Sequence, residues 1–518
     1  MERARGAGDG PRFRLGEQRR PLPGRVPAGA RRTRPGRLNP PSAVDRATVV
    51  LHGHFYQPPR EDPWTDRVRT EPGAAPFENW NERIAAECYE PLARAGAFDW
   101  LSFDLGPTLA RWLEGERPDV HDGFVRGDRA SRARLGYGNA IAQPYHHIIL
   151  PLASRREKET EVRWGLRDFE RRFGRRAEGM WLPETAVDTQ TLDVLAAEGV
   201  AFTILAPHQV AEVPAGGVGR ARLAGGREIA VFIYDGGLSH GVAFGALLDG
   251  RDAWFEALRS ASGRETPFVA LATDGETFGH HHRGADRTLM RVIRRARESG
   301  EVKIGNFASA LAAAGEVPLV TLEEPTSWSC AHGVERWRSE CGCRMAPHLD
   351  SQQRWRGPLR EALQSLAAGL DEAYAELAPG RLPDPDRALE ALGEVLGARP
   401  ALEDFAARAA GARTGSGERR DEALALLEVA RDRAAMFTSC AWFFDDVAGL
   451  EVKQVLGYAA HALDRLRRLA PERAEALETA LVSDLAKAPA NDADLANAAA
   501  VYERAFTLRA GAPAPGDA

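Results

Sequence analysis

Two acidic residues stand directly after short apolar runs in this sequence. Glu184 follows the run 178–182, and Asp274 follows the run 268–272. Runs of this length, bounded by turn residues, are typical of buried parallel strands. In barrel-type α/β folds, the side chains that carry the chemistry lie at the carboxyl ends of the strands. We therefore expect Glu184 and Asp274 to face one cleft and to act as a pair.

The neighbours of these two acids favour cleavage of a glycosidic bond. Trp181 stands beside Glu184, and the imidazoles of His280–His282 follow Asp274. A glycosidic bond breaks through a cationic state, which one carboxylate stabilises while a protonated acid on the other face supplies a proton to the leaving oxygen. The charge of Glu276, two residues after Asp274, should raise the pKa of one member of that neighbouring pair.

Strands and helices must alternate to present such side chains. Seven strand candidates are separated mostly by helical patterns, and they lie at 47–51, 99–103, 137–142, 178–182, 202–205, 229–234 and 268–272. This alternation predicts a parallel sheet closed into an incomplete (β/α)7 barrel, one unit short of the usual eight. Past residue 345 strand runs vanish, and helical patterns predict an all-helical domain.

The sequence divides into five predicted segments. They are a disordered basic tail at 1–44, a catalytic barrel at 45–316, a loop-rich connector contributing to the cleft at 317–350, a helical domain at 351–510 and a disordered tail at 511–518.

Four motifs in this order resemble glycoside hydrolase family 57. They are His52-Gly-His54 with Gln57-Pro58, His147-Ile-Ile-Leu-Pro151, Trp181-Leu-Pro-Glu184, and Asp274-Gly-Glu276 with Gly279-His280. The resemblance covers residues 45–345 and implies a retaining enzyme acting on α-glucans without a cofactor, as a hydrolase or a transglycosylase. The helical remainder resembles the accessory half of an uncharacterised branch of the family.

The resemblance also implies roles for individual residues. Glu184 would be the nucleophile and Asp274 the general acid/base. His52, His54 and His147 would contact sugar hydroxyls, and Trp181 would stack on the sugar or shape its subsite. Trp328-Ser-Cys-Ala-His332 is the best match for the family's last motif. The remaining candidates for substrate binding are Gln57, Glu276, His280, Trp328, His332, Trp442 and Asp445.

Trp442 and Asp445 are candidates for a reason of their own. They belong to Ala441-Trp-Phe-Phe-Asp-Asp446, where three aromatics and two acids cannot all lie on one apolar helix face. Either the helix is buried all round, or Trp442 with Asp445 or Asp446 lines the sugar cleft. We favour the cleft, because an aromatic ring with adjacent acids suits a pyranose.

Two other functions compete with the carboxylate pair. Asp104, His52 and His54, with His147 as an optional fourth ligand, are a ligand set for a metal-dependent carbohydrate deacetylase or mannosidase-like enzyme. A glycan-binding protein without catalysis would also retain the cleft. A separate set, Cys330, His332, Cys341, Cys343 and Cys440, suits zinc or a cluster, but the usual Cys-x-x-Cys spacing is absent. We therefore favour buried thiols that tether the barrel to the helices, with no metal.

Composition limits the partners. The chain is 44% hydrophobic and 27% charged, and its lack of a long apolar run predicts no membrane span. Residues 1–44 hold eleven arginines against three acids, so the −6 net charge leaves the remainder strongly acidic, which argues against nucleic acid. Five cysteines in 518 residues fit a reducing, cytoplasmic compartment. An oligo- or polysaccharide is therefore the expected partner, and the sequence does not fix an oligomeric state.

Overall fold

The fold is taken from a computed structural model of the chain. The structure describes residues 47–250, 252–263, 267–345, 350–396, 399–411 and 417–506. The tails predicted to be disordered, at 1–44 and 511–518, lie outside the described residues.

Eight strands are present in the described part of the chain. They are β1 Thr48–Phe55, β2 Ser102–Leu105, β3 Ala140–Ile141, β4 Phe202–Leu205, β5 Val218–Arg222, β6 Glu228–Ile233, β7 Phe268–Asp274 and β8 Lys303–Ile304. The buried strands are rich in Val, Ile, Leu and Phe, the composition of strands covered on both faces.

The parallel strands form most of a ring. The order β7-β1-β2-β3 continues through bridges at Gly179 and Met180 to β4, which pairs with β6. At the end of β6, the Asp235 amide donates to the Ala270 carbonyl of β7 at 2.8 Å. Two strands lie off this path, since β5 pairs antiparallel with β6 and β8 pairs with the start of β1.

Helices fill the connections of the barrel and make up the rest of the chain. The barrel half holds α1 Trp80–Ile84, α2 Glu90–Ala95, α3 Pro107–Glu116, α4 Pro118–Leu135, α5 Arg155–Phe173, α6 Thr189–Ala197, α7 Gly236–Ala243, α8 Ala253–Ser262, α9 Ala285–Ser299 and α10 Phe307–Ala313. The second half holds α11 Arg356–Leu377, α12 Pro385–Ala391, α13 Arg399–Ala409, α14 Gly417–Ala435, α15 Cys440–Phe443, α16 Leu450–Arg467, α17 Pro471–Leu485 and α18 Ala498–Phe506. The predicted fold class, an incomplete (β/α)7 barrel followed by helices, is confirmed.

The two halves are joined by packing and by hydrogen bonds. The Trp164 indole of α5 donates to the Leu389 carbonyl of α12 at 2.8 Å. Thr438, between α14 and α15, forms an antiparallel bridge with Ile148 of the barrel. The helical half therefore reaches the loop that follows β3. None of the described helices is both long enough and apolar enough to cross a bilayer.

Candidate active site

The register of β1 aligns three polar side chains on one rung of the sheet. His54 is the Cα partner of Asp104 on β2 and of Asp274 on β7. Two residues earlier, His52 pairs with Ser102 in the same way. Side chains two apart on a strand share a face, so His52 and His54 both point into the barrel.

Asp104 holds both histidines. Its Oδ1 lies 3.1 Å from His52 Nε2, and its Oδ2 lies 2.8 Å from His54 Nδ1. Burial lowers the pKa of His54, but the charge of Asp104 and the hydrogen bond to it, with smaller contributions from Asp274 and Glu276, raise that pKa to about 9. His54 is therefore an imidazolium at neutral pH.

His147 continues this network into the helical half. Its Nε2 lies 3.2 Å from His54 Nε2, and its Nδ1 lies 2.6 Å from Ser439 Oγ. Burial and the charge of His54 hold the pKa of His147 well below its ordinary value. The Nε2 atom of neutral His147 therefore accepts a hydrogen bond from His54, and its Nδ1–H donates a hydrogen bond to Ser439.

Strained backbone concentrates at this site. Among the described residues other than glycine, positive φ occurs at His147, Glu184 and Thr185, and also at Asp66. The left-handed region is costly for such residues and persists where surrounding structure enforces it, commonly at functional sites. The bend at Pro183–Thr185 turns the Glu184 side chain out of the strand path at the barrel mouth.

Glu184 receives two hydrogen bonds from the connector. Trp328 Nε1 and Ser329 Oγ donate to its Oε2 at 3.1 and 2.5 Å, and the Trp328 amide donates to its carbonyl at 3.0 Å. Burial raises the pKa of Glu184, whereas the Ser329 hydrogen bond and the charge of Arg336 lower it. The charge of Asp274 also raises it, and the net shift of the Glu184 pKa is upward.

Asp274 sits in a different environment. Burial raises its pKa, the charge of His54 lowers it, and the charge of Asp104 raises it, with a net upward shift. Like Glu184, Asp274 is half-buried, so neither acid is sealed in the interior. Burial thus raises the pKa of both acids, and hydrogen-bond donors from the connector oppose that shift at Glu184.

Glu276 lies behind Asp274 rather than beside it. β7 ends at Asp274, and a helical turn over Gly275–Phe278 directs Glu276 inward, where Tyr89 donates to it and Gln57 Nε2 lies 3.3 Å away. Burial and the charge of Asp274 raise the pKa of Glu276 to about 7. Gln57 and Glu276 therefore form a buried support for the turn that carries Asp274.

Aromatic rings close the remaining sides. Trp181 is 0% exposed and stacks on His52 and His54 with ring centroids 4.9 and 5.3 Å apart. A ring with no exposed surface cannot stack on a sugar, so the first of the two predicted roles of Trp181 is contradicted and the second stays a prediction. Half-buried Trp328 and Tyr234, whose centroids are 6.5 Å apart, lie at the opening.

Four predicted substrate contacts have other partners in the structure, and burial contradicts the prediction for Trp442. Trp442 is 0% exposed and donates to the Arg356 carbonyl, so its ring does not line a cleft, although the segment is not buried all round because Phe444 is exposed. The Asp445 carboxylate accepts a hydrogen bond from the Met345 amide at 3.0 Å and so binds the end of the connector. His280 pairs with Glu87 at 2.5 Å, and His332 Nδ1 lies 3.6 Å from Cys343 Sγ. Each of these polar groups is engaged away from the two acids.

The site includes residues that the sequence did not single out. They are Tyr56, Tyr89, Tyr234, Ser329, Arg336 and Ser439. Tyr56 stacks on His147 with centroids 3.7 Å apart. Tyr89 lies in a π-helical turn over Ala85–Tyr89, a distortion that recurs at functional sites. No sequence signal short of the fold itself connects Ser439 with His147.

Fold and site together define a barrel-type carbohydrate-enzyme scaffold with a carboxyl pair at its mouth. Residues 99–307 match the model of glycosyl hydrolase family 57, and residues 352–510 match a domain of unknown function (DUF3536). Residues 99–307 therefore belong to glycosyl hydrolase family 57. A comparison with curated protein sequences gave no match.

Solved structures share the fold at low sequence identity. An exo-type maltose-forming amylase from Pyrococcus sp. ST04 is 16% identical with a TM-score of 0.68, covering 86% of this chain and 84% of that one. A branching enzyme of the GH57 type from Pyrococcus horikoshii is 16% identical with a TM-score of 0.53, covering 84% and 94%. A 4-α-glucanotransferase from Thermococcus litoralis is 14% identical with a TM-score of 0.52, covering 82% and 60%.

Proposed function

We propose that this protein is a retaining glycoside hydrolase or transglycosylase that acts on α-glucans. Glu184 serves as nucleophile and Asp274 as general acid/base. The observation that carries the proposal is the placement of two half-buried carboxyl groups where barrel strands end, both close enough to His54 for its charge to lower their pKa values. The names of the structural neighbours, an amylase, a branching enzyme and a 4-α-glucanotransferase, support an α-glucan as substrate.

The environments assign the two roles. Burial raises the pKa of Glu184, and hydrogen bonds from Trp328 and Ser329, with the charge of Arg336, oppose that shift and stabilise the ionised form, which is the form that attacks a sugar. Burial favours protonated Asp274, which is the form that donates to a leaving oxygen. The assignment therefore follows from the donors around Glu184 as well as from the family resemblance.

The reaction proceeds in two steps. A Glu184 carboxylate oxygen bonds to the anomeric carbon as the glycosidic bond breaks, and Asp274 transfers its proton to the departing oxygen. Ionised Asp274 then takes a proton from water or from a sugar hydroxyl, whose oxygen displaces Glu184. Water gives hydrolysis and a sugar hydroxyl gives transfer. Both steps together retain the anomeric configuration.

The network around Asp104 argues against the metal-dependent alternative. Both nitrogens of His52, His54 and His147 already have partners among Ser102, Asp104, Ser439 and one another. A histidine must offer a free lone pair to a metal, so these hydrogen bonds would have to break before the histidines could act as ligands. The histidines are therefore better suited to positioning Asp274 and the sugar.

Incubation with maltooligosaccharides tests the proposal. Shorter sugars alone indicate hydrolysis, longer sugars indicate transfer, and a new linkage indicates branching. The product formed first should carry the α-anomeric configuration by nuclear magnetic resonance. A β-anomer formed first would show inversion and would remove the covalent role of Glu184.

Two variants separate the roles of the acids. Glu184→Gln should lose about 10⁴-fold in turnover of any substrate. Asp274→Asn should lose about 10²–10⁴-fold on maltooligosaccharides but retain rapid bond cleavage of an aryl glycoside whose leaving group needs no proton. Exposed Glu212→Gln and Asp249→Asn are matched controls that should turn over normally. Normal turnover by Glu184→Gln would refute the assignment.

A further inference from the structure

The connector brings four metal-binding side chains together. Cys330, His332, Cys341 and Cys343 each offer one ligand atom, and these atoms all lie within 4.8 Å of one another. The Sγ of Cys330 lies 3.9 Å from the Sγ of Cys341 and 3.9 Å from that of Cys343. The fifth cysteine, Cys440, lies apart beside the Tyr56 hydroxyl.

These separations match a tetrahedral zinc site. Zn–S bonds of about 2.3 Å and a Zn–N bond of about 2.0 Å at tetrahedral angles set S–S distances of about 3.8 Å and S–N distances of about 3.5 Å. The observed values are 3.9 Å twice and, between Cys343 Sγ and His332 Nδ1, 3.6 Å. Three of the six separations are thus already at ligand spacing, and all six are within 4.8 Å.

We propose that Cys330, His332, Cys341 and Cys343 bind one Zn²⁺ as a structural site that closes the connector. Three thiolates and one imidazole are a ligand set that zinc prefers, and four protein ligands leave no open position for catalysis. The site replaces the sequence-based preference for unliganded thiols.

A buried arginine completes the charge balance. Zn²⁺ with three thiolates carries a net charge of −1. Arg356 is 0% exposed, its Nη1 lies 4.0 Å from Cys341 Sγ, and the same nitrogen donates to the Cys343 carbonyl at 3.0 Å. A buried cation needs a nearby anion, and a zinc–thiolate centre supplies one in addition to the Asp445 carboxylate at 3.9 Å.

The position of the ligands explains what the ion would hold. Cys330 follows Ser329, whose hydroxyl donates to Glu184. Arg336, between the two ligand pairs, donates to the Ser329 and Phe443 carbonyls at 3.0 and 2.9 Å. Residues 317–345 contain one short helical turn, Glu335–Trp337, and are otherwise irregular. The ion would therefore fix a segment that has little regular structure of its own.

Metal content of the full chain, purified without added metal, is the first test. Elemental mass spectrometry should find about one zinc ion per chain. A mercurial reagent that blocks the thiols should release this zinc, which a chromogenic chelator then detects. A content far below one that does not rise when Zn²⁺ is offered to the reduced protein would overturn the proposal. A disulfide between any two of the three cysteines in the native protein would overturn it as well.

Variants locate the ion. Cys343→Ser and His332→Ala should each lose most of the zinc, and because His332 is exposed, its replacement disturbs no core packing. Cys440→Ser and exposed His240→Ala are matched controls that should keep it. Zinc retained in both ligand variants would place the ion elsewhere and refute the site.

Cobalt substitution tests the geometry without any variant. Co²⁺ bound by wild-type protein should show the intense visible bands of a tetrahedral ion together with thiolate charge-transfer absorption. Weak octahedral bands would refute a site of three sulfurs and one nitrogen. Metal content and the cobalt spectrum are measured without turnover, so they test the zinc site independently of the proposed function.

Discussion

At the scale of single residues, the hydroxyl of Ser329 has a measurable consequence. It donates to Glu184 and thereby lowers the pKa of that carboxyl, which the reaction needs in its ionised form. A hydrogen bond to a charged group is worth about 1.5–3 kcal/mol, or roughly one to two pKa units.

Replacement of Ser329 by alanine should therefore raise the pKa of Glu184. The acidic limb of the kcat/KM profile should move to higher pH by roughly one unit or more, because more Glu184 stays protonated at any given acidic pH. Ser327→Ala is the matched control, since Ser327 lies in the same connector and donates to the Gly333 carbonyl instead. An unmoved limb in Ser329→Ala, or an equal movement in both variants, would contradict this assignment.

At the residue scale, motifs that lie at strand ends indicated side chains that the fold brings close. His52, His54 and His147 lie in one hydrogen-bonded network with Asp104, whereas the roles of Glu184 and Asp274 stay predictions. Trp442 failed because an aromatic beside acids has the same composition in a cleft and in a helix interface. Which of the two applies depends on packing, and packing is not local information.

At the scale of elements, the closeness of α5 to the barrel is set by a glycine. A Cβ placed on Gly165 would lie 1.9 Å from the carbonyl oxygen of Gln143, at the start of the loop that leads to His147. The helix itself is well specified, with a capping box from Ser154 to Glu157 and Gly174 at its end. Its position against the loop therefore depends on the missing side chain.

Two glycine-to-alanine changes should have opposite signs. Gly165→Ala should destabilise the fold by about 1–3 kcal/mol or more, because α5 must move away from Gln143. Gly115→Ala, in α3, meets nothing within 4 Å and should stabilise by roughly 0.5–1 kcal/mol through helix propensity. Urea unfolding of both variants measures the difference. Equal changes in unfolding free energy would contradict the close contact.

Element prediction from sequence depended on how apolar each segment is. The run at 202–205 was predicted at its exact bounds because it is fully buried. β5 was missed, since Val-Gly-Arg-Ala-Arg alternates buried and exposed positions on an antiparallel edge. α4 was missed because its charges and two glycines hide a helical stripe. The π-helical turn at Ala85–Tyr89 arises from tertiary contacts that no periodicity records.

At the scale of the whole molecule, the barrel and the helical half share buried contacts. Arg433 of α14 pairs with Glu157 of α5 at 2.6 Å, and Gln454 of α16 donates to the Glu61 carbonyl at 2.7 Å. These bonds supplement the Trp164 and Thr438 contacts between the same halves. Neither half buries its own surface fully without the other.

Thermal unfolding should therefore be cooperative across both halves. Calorimetry of the intact chain should show one transition, and a chain that ends at residue 350 should bind a hydrophobic dye and lose its fold, because the surface that faced the helices is exposed. A chain that ends at residue 506, which keeps every described helix, is the control and should unfold as the full chain does. Two resolved transitions in the intact protein would show that the halves are independent.

The bond between Ser439 and His147 limits how such a protein can be rearranged. Exchange of C-terminal halves between relatives preserves catalysis only if the incoming half carries a hydroxyl at the same place and a loop of the same length to deliver it. A recombinant with a perfect barrel and a foreign helical half would thus carry a misplaced imidazole. Whether two parent proteins can exchange halves can therefore be judged in advance from the Ser439–His147 contact alone.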